Sequence, residues 1–193
     1  MRIEAKEDKR VRKTKRALRL GLAELLTEKD IQNITVSELS DKVEINRSTF
    51  YANFADIYDL YRKTEDIVVQ EIGDIFLENY ASSPQAFFEI LFQYIYDHKQ
   101  ICRMFFGRNV SPTFFSRLIT LFKEACLVCW RAAYGITGTA EELEYYAHFY
   151  LSGALAVVDK WAANNFKYSS EQLVEIFADM EIGFGNFLKS KFA

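Results

Sequence analysis

Apolar residues recur every three or four positions along most of the chain, and no segment alternates apolar and polar residues as a half-buried strand would. Between residues 9 and 27, for example, Leu18, Leu22 and Leu25 share one face of a predicted helix. The same spacing predicts an all-α protein, with two short helices that open at Thr35 and Asn46 and longer helices over about residues 56–80, 87–106, 113–134, 139–164 and 169–189.

The two short helices have the polar residues of a helix-turn-helix. Thr35 and Glu38 have the spacing of a capping box, in which the hydroxyl and the carboxylate each bond a free backbone amide. Asn46 can cap the second helix, and Phe50 and Phe54 point inward together at i and i+4. This leaves short or flat groups on the outer side that can approach a base edge, namely Arg47, Ser48, Thr49, Tyr51, Ala52 and Asn53.

These residues resemble those of the TetR/AcrR family of transcriptional regulators. The matching segments, in the family's order and spacing, are 34–39, 46–51, 53–54 and 59–60. The resemblance implies a dimeric, ligand-responsive DNA-binding regulator, a repressor that a small effector releases from a palindromic operator. We assign base contacts to Arg47, Ser48, Thr49, Tyr51 and Asn53, and phosphate contacts to Lys6, Thr35 and Ser37.

Two positions depart from the family pattern. The turn between the short helices usually contains Gly, whereas Val43-Glu44-Ile45 occupies it here. Either Glu44 adopts a conformation that Gly takes more easily, or the turn is built differently. Ile57 stands where the family often has a Lys that contacts phosphate, so that contact is not carried over.

Charge separates the two ends of the chain although the net charge is only −3. Residues 1–54 hold 12 Lys and Arg against 9 Asp and Glu, whereas residues 55–193 hold 12 against 18. A basic end suits a polyanion, because neutralising phosphates supplies much of the affinity for DNA. We therefore predict a three-helix DNA-binding domain over residues 1–55 and, joined to it by the long helix, a helical ligand-binding and dimerisation domain over residues 56–193.

Of the 30 aromatic residues, 27 follow residue 54. Most belong to the core of a helical bundle, but a bundle lined with rings can also keep an apolar cavity. The resemblance implies that this body binds the effector and moves the two DNA-binding heads. The candidate lining residues are Phe88, Phe92, Tyr94, Phe122 and Tyr146.

The C-terminal third resembles that of TetR-type regulators common in Gram-positive bacteria. The residues that carry this resemblance are Tyr145 to Phe149, Gly153, Trp161 and Ser170 to Leu173. It implies a homodimer in which the last two helices pair with their copies. Small residues that would allow close helix approach are Gly153, Ala154, Ala156, Gly183 and Gly185.

Other functions have weaker support in the sequence. Cys126 and Cys129 are one helical turn apart among apolar residues, which favours burial over zinc binding, and we expect neither a metal nor a cofactor. No phosphate-binding loop or nucleophile motif indicates an enzyme. No apolar run approaches the roughly 18 residues of a membrane span, and the N-terminus is charged, so we expect a cytoplasmic protein. The remaining alternatives are a DNA-binding protein whose body docks a protein partner, a helical enzyme or metal bundle, and a helical hairpin buried in a larger bundle.

Overall fold

The computed structural model describes residues 8–80, 84–106, 112–136 and 140–192. Over these residues all regular structure is helical, which confirms the all-α prediction, and no helix is both long and apolar enough to cross a membrane. One turn of 3-10 helix covers Ile31–Asn33. The α-helices are α1 (Lys9–Glu28), α2 (Val36–Lys42), α3 (Arg47–Tyr51), α4 (Ile57–Asn79), α5 (Pro84–Asp97), α6 (Lys99–Cys102), α7 (Pro112–Tyr134), α8 (Ala140–Ala163) and α9 (Ser170–Phe192).

Helices α1 to α3 and the first turn of α4 form the head. Its core consists of fully buried side chains from all four helices, including Leu22, Leu39, Phe50 and Leu60. Gly21 lets α1 approach α2 closely, because a Cβ atom there would lie 2.5 Å from Cγ1 of Val43. The head therefore has a small apolar core of its own, and α1 also packs against α6 of the body.

Helix α4 leaves the head and becomes part of the body. Asp56 caps it, accepting a bond from the Asp59 amide at 2.7 Å, as the sequence predicts. Further along, Arg117 of α7 bonds the carboxylate of Glu65 at 2.9 Å and that of Asp66 at 2.8 Å. Because Glu65 is buried, this ion pair ties the middle of α4 to the body.

The body consists of the rest of α4 with α5 to α9, and aromatic rings fill it. Phe92 of α5 packs edge-on against Phe177 of α9, with ring centroids 4.7 Å apart. The ring centroids of Phe76 in α4 and Phe122 in α7 are 4.4 Å apart. These contacts hold α5 against α9 and α4 against α7, and α8 packs along α7.

Several predicted helix details need correction. The polar residues near His98 interrupt the predicted 87–106 helix completely, so that α5 ends at Asp97 and α6 is a separate short helix. Met180 and Phe187 fit the apolar spacing that predicts an inward side of the last helix, yet they are exposed by 50% and 44%. Gly185 does not face a partner helix, because the Tyr134 ring covers it within the same chain. The sequence also indicates a break between helices at Ser82-Ser83 and a capping box that begins at Thr139, and these residues lie outside the described ones.

Candidate nucleic-acid interface

The start of α2 confirms half of the predicted capping box. The Thr35 hydroxyl accepts a bond from the Glu38 amide at 3.2 Å. The Glu38 carboxylate instead pairs with Lys29 at 2.5 Å, and this bond is the main reason why the pKa of Glu38 is lowered. The second half of the box is therefore wrong, because a lysine that follows α1 offers the carboxylate a better partner than a backbone amide does.

The turn between α2 and α3 has the left-handed backbone conformation that glycine usually provides, although it contains no glycine. Glu44 has φ of 57°, in the left-handed region. Its amide bonds the Asp41 carbonyl at 3.2 Å, and the Ile45 amide bonds the Ser40 carbonyl at 3.0 Å. This pair of bonds is a Schellman motif, which satisfies the last carbonyls of a helix. Of the two alternatives, the structure thus selects the one in which Glu44 adopts the strained conformation.

Helix α3 has one apolar and one polar side. Phe50 and the following Phe54 are buried, with ring centroids 5.9 Å apart, as predicted. Asn46 precedes the helix, but its side chain makes no capping bond, so the predicted cap is wrong. The Asn46 carbonyl accepts the Thr49 amide at 2.9 Å, so the turn is closed by the backbone.

The predicted base-contacting residues lie on or beside this short helix. Arg47, Ser48 and Tyr51 are exposed, Tyr51 by 58%, whereas Thr49 and Asn53 are half-buried. The Asn53 amide donates to the Thr49 carbonyl at 2.8 Å, which fixes its side chain against the helix. The result is an outer surface with a flat phenol ring and several hydrogen-bonding groups.

The predicted phosphate-contacting residues lie at the start of α2. Thr35 is exposed, and the half-buried Ser37 accepts a bond from the Arg47 guanidinium. Ser37 also donates to Asp41 at 3.5 Å. Lys6 lies outside the described residues, but exposed basic side chains continue along the first turns of α1, at Lys9, Arg10, Lys13 and Arg16.

The five predicted pocket rings do not surround one cavity. Phe88 and Phe92 stack on each other, Phe122 packs against Phe76, and Tyr146 packs against Phe187. Tyr94 is separate again, because its hydroxyl donates to Glu71 at 2.7 Å. Of the five, Phe88 alone lines a cavity described below, and the pocket assignment stays a prediction.

The described part of the body contains a groove and a small cavity. A shallow groove of about 510 Å³ runs between α7 and α8, lined by residues that include Phe115, Lys123 and His148. A cavity of about 100 Å³ lies between α5 and α9 and is lined by Phe88 and Glu181, among others. Sequence reasoning does not identify Glu181, because its neighbours Met180 and Ile182 are apolar and form no motif with it.

The cysteines have the burial expected of core residues. Cys102 and Cys126 are buried, and burial raises the pKa of each thiol to about 12. Such thiols stay protonated near neutral pH, which opposes both metal binding and rapid oxidation. Among the residues that the structure describes, no group of three His, Cys, Asp or Glu side chains could hold a metal ion.

The comparisons with known proteins agree with this architecture. The family TetR_C_8, described as a transcriptional regulator C-terminal region, matches residues 82–182. Among solved structures, a TetR transcriptional regulator from Streptococcus agalactiae 2603V is similar with a TM-score of 0.62 and 20% identity, over 90% of this chain and 96% of that one. A comparison with curated protein sequences finds no match.

Two further structures have the same fold at lower identity. The fatty acid degradation regulator FadR from Bacillus halodurans has a TM-score of 0.60 and 16% identity, over 91% of this chain and 94% of that one. The dihydroxyacetone kinase operon activator DhaS has a TM-score of 0.60 and 13% identity, over 93% of this chain and 96% of that one. At these identities the likeness establishes the fold alone.

Proposed function

This chain belongs to the TetR family of transcriptional regulators, and we propose that it is a homodimer that represses transcription until a small effector releases it from a palindromic operator. The family consists of DNA-binding regulators and not of enzymes, which excludes the enzyme alternative. The observation that carries the proposal is the outer side of α3, where Tyr51 is exposed beside Arg47 and Ser48. Because its target is chromosomal DNA, the proposal places the protein in the cytoplasm.

Base and phosphate contacts divide between the two short helices. In the proposal, α3 enters the major groove, and base edges meet Arg47, Ser48, Thr49, Tyr51 and Asn53. Thr35, Ser37 and the upstream Lys6 contact phosphates, which set the register of the head on the duplex. The bond from Arg47 to Ser37 supports this division, since it holds a base-contacting side chain against a phosphate-contacting one.

The proposal divides the chain into a DNA-binding domain over residues 1–55 and an effector-binding and dimerisation domain over residues 56–193. The boundary falls just before α4, whose first turn still packs in the head core through Ile57 and Leu60. Because α4 continues into the body without a break, the two domains are coupled through a rigid element and not through a flexible linker.

An exposed apolar surface on α8 and α9 supports the homodimer. Ile176, Met180, Gly183 and Phe187 follow one another at spacings of four, three and four residues, so they share one side of α9. On α8, Tyr145 and Phe149 are each exposed by 73%. Several large apolar side chains exposed together on a monomer are typical of an interface, and a symmetric dimer covers both copies of such a surface at once. Gly153 and Gly183 face open space and leave room for the approaching helices.

In the proposed switch, the effector changes the position of α4. The dimer must hold its two α3 helices about 34–36 Å apart, or a multiple of this, to match successive turns of DNA. Because Arg117 fixes the middle of α4 to α7, a ligand that shifts the body helices also moves the head. If the effector binds one position of α4 more tightly than the other by about 1–3 kcal/mol, the difference is enough to change operator occupancy.

Selection of bound duplexes from a random pool tests the proposal. We expect enrichment of an inverted repeat whose half-sites are about one helical turn apart. Deletion of residues 1–7, which removes Arg2 and Lys6, should then weaken binding to all duplexes and flatten its salt dependence. Enrichment of no site would contradict the proposed function, and a deletion that changed sequence preference alone would make the arm a minor-groove contact.

A further inference from the structure

A carboxylate and several phenols lie together inside the body. Glu181 of α9 is partly buried, and its carboxylate accepts a bond from the Tyr150 hydroxyl of α8. Burial raises the pKa of Glu181, and the Tyr150 bond opposes this effect. No Lys or Arg of the described chain forms an ion pair with Glu181. A partly buried carboxylate with only a neutral partner is unfavourable, and a cation beside it would stabilise its charged form.

The same cluster contains a second unsatisfied polar group. The Tyr80 hydroxyl, at the C-terminal end of α4, is buried and has no hydrogen-bond partner to oxygen or nitrogen, with only the weakly bonding Cys126 thiol beside it. The charge of Glu181 is close enough to contribute to the raised pKa of Tyr80. Buried polar groups are normally paired, so a ligand with a polar group that reached both the hydroxyl and the carboxylate would be stabilised there.

A cavity provides the space for that ligand. The cavity of about 100 Å³ between α5 and α9 has the Glu181 carboxylate on one side, and its other lining residues are Gln85, Phe88, Val174, Ala178 and Ile182. Apart from Gln85, these neighbours are apolar, and Phe88 contributes a ring on which a cation can lie. The volume is smaller than the roughly 150 Å³ cavity that admits benzene, so it suits a short alkyl group and not a ring.

From the unpaired carboxylate, the orphaned phenol and the adjoining apolar cavity, we propose that Glu181 anchors a small organic cation, an alkylamine with a short apolar chain. The ammonium group pairs with Glu181, and its alkyl chain occupies the cavity next to Phe88. A carboxylate ligand is excluded by repulsion from Glu181, and a neutral alcohol leaves the carboxylate unpaired.

The site is placed to act on the switch, and in this respect the inference rests on the proposed function. Tyr80 ends α4, Tyr150 belongs to α8, and Glu181 belongs to α9. An ammonium group paired with Glu181 would therefore lie against α9 of the proposed dimer surface, and its charge would act on Tyr80 at the end of the helix that carries the head. This makes the cation an effector and not only a structural ligand.

Titration of the full-length protein with n-butylamine and, separately, with n-butanol tests the site. At neutral pH and matched ionic strength, we expect the amine to bind at least tenfold more tightly than the alcohol, measured by NMR shifts or by melting temperature. Glu181→Gln should remove this preference. Glu175→Gln changes an exposed carboxylate on the same helix and should keep it.

A second variant guards against a folding defect. Ala178→Leu fills the cavity and leaves the carboxylate in place, so it should also abolish amine binding. Equal binding of amine and alcohol by the unmodified protein, or full amine binding by Glu181→Gln, would overturn the proposal. Operator affinity that is unchanged by bound butylamine would contradict the switch and leave the cation site standing. If the unmodified protein bound no DNA with or without butylamine, this would contradict the proposed function and would not affect the cation site.

Discussion

The head and the body differ in where they keep their polar groups. In the head, the groups assigned to DNA are at the surface, as with Arg47 and Tyr51, and the core is apolar apart from the buried Ser40 hydroxyl. The body instead encloses Glu181 and the Tyr80 hydroxyl among its rings, while apolar side chains such as Phe149 are exposed. A surface that must bind a polyanion and an interior that must bind a small ligand require opposite arrangements.

The two regions also differ in how far along the sequence their contacts reach. Phe50 and Phe54 of the head meet within one helical turn, and α1 meets α2 about twenty residues on. In the body, Phe92 packs against Phe177. A core built from near neighbours forms with less loss of chain entropy than one built from distant segments, so the head can fold and unfold with some independence.

A matched pair of core truncations tests that independence with the largest expected effect. Phe50→Ala in the head and Phe92→Ala in the body each remove a fully buried ring, at a cost of about 3–5 kcal/mol in the free energy of unfolding. Both tryptophans, Trp130 and Trp161, are in the body, so fluorescence reports on the body while circular dichroism reports on all helices. For Phe50→Ala we expect helicity to fall before fluorescence changes. Coincident transitions would mean one cooperative unit.

Removing a base contact should separate DNA binding from stability. Tyr51→Ala or Thr49→Ala should weaken specific duplex binding by about 1–3 kcal/mol per head, and a dimer loses the contact twice. Helicity and dimerisation should stay unchanged. Tyr168→Ala is the matched control, since this body tyrosine is exposed by 50% against 58% for Tyr51. Unchanged affinity of both head variants in gel-shift titrations would refute α3 as the recognition helix.

The buried ion pair provides a smaller test of the link between head and body. Arg117→Gln leaves Glu65 buried without its cation, and we expect a loss of about 1–3 kcal/mol in denaturant unfolding, below the value for a fully buried pair because Arg117 is 39% exposed. Lys63→Gln, which breaks the exposed pair with Asp59, should change stability by less than about 0.5 kcal/mol. Equal effects would argue against Arg117 as the tie between α4 and α7.

The smallest effect concerns the turn of the head. Glu44→Gly should stabilise the protein by about 0.5–1 kcal/mol, because a residue with a Cβ atom is strained at φ of 57° and glycine is not. Glu44→Ala keeps the Cβ atom and should give no such gain. Thermal unfolding of the two variants side by side measures the difference, and a gain in both would place the effect in the Glu44 side chain and not in the backbone.

The sequence predicts the head well because its signals are local. The inward pair Phe50 and Phe54 follows from residues one helical turn apart, and the two alternatives for Glu44 also concern neighbouring residues. One error is local, since the backbone and not the Asn46 side chain closes the first turn of α3, and the other arises where a distant group competes. Lys29 takes the Glu38 carboxylate away from the predicted capping box, and nothing near Glu38 in sequence identifies that lysine as its partner.

In the body, periodicity predicts the helices but not their neighbours. Phe184 and Phe187 both fit an inward stripe on α9, yet Phe187 is 44% exposed while Phe184 packs against Trp130. Which side of an amphipathic helix faces the core depends on helices more than fifty residues away in sequence. For the same reason the sequence indicates pocket-lining rings only by residue type. The cavity is lined by Glu181, whose sequence neighbours do not indicate a ligand site.

The pairing of α5 with α9 also affects how the protein is made. Phe88 contacts Phe177, about 90 residues further along the chain. At a synthesis rate of about 5–20 residues per second, roughly 5–20 seconds pass between the synthesis of α5 and that of α9, which covers its aromatic side. During that interval the nascent chain presents Phe88 and Phe92 to the cell, where a chaperone or another unfinished chain can bind them. The time needed to synthesise α9 therefore determines how long the rings of α5 stay exposed on the nascent chain.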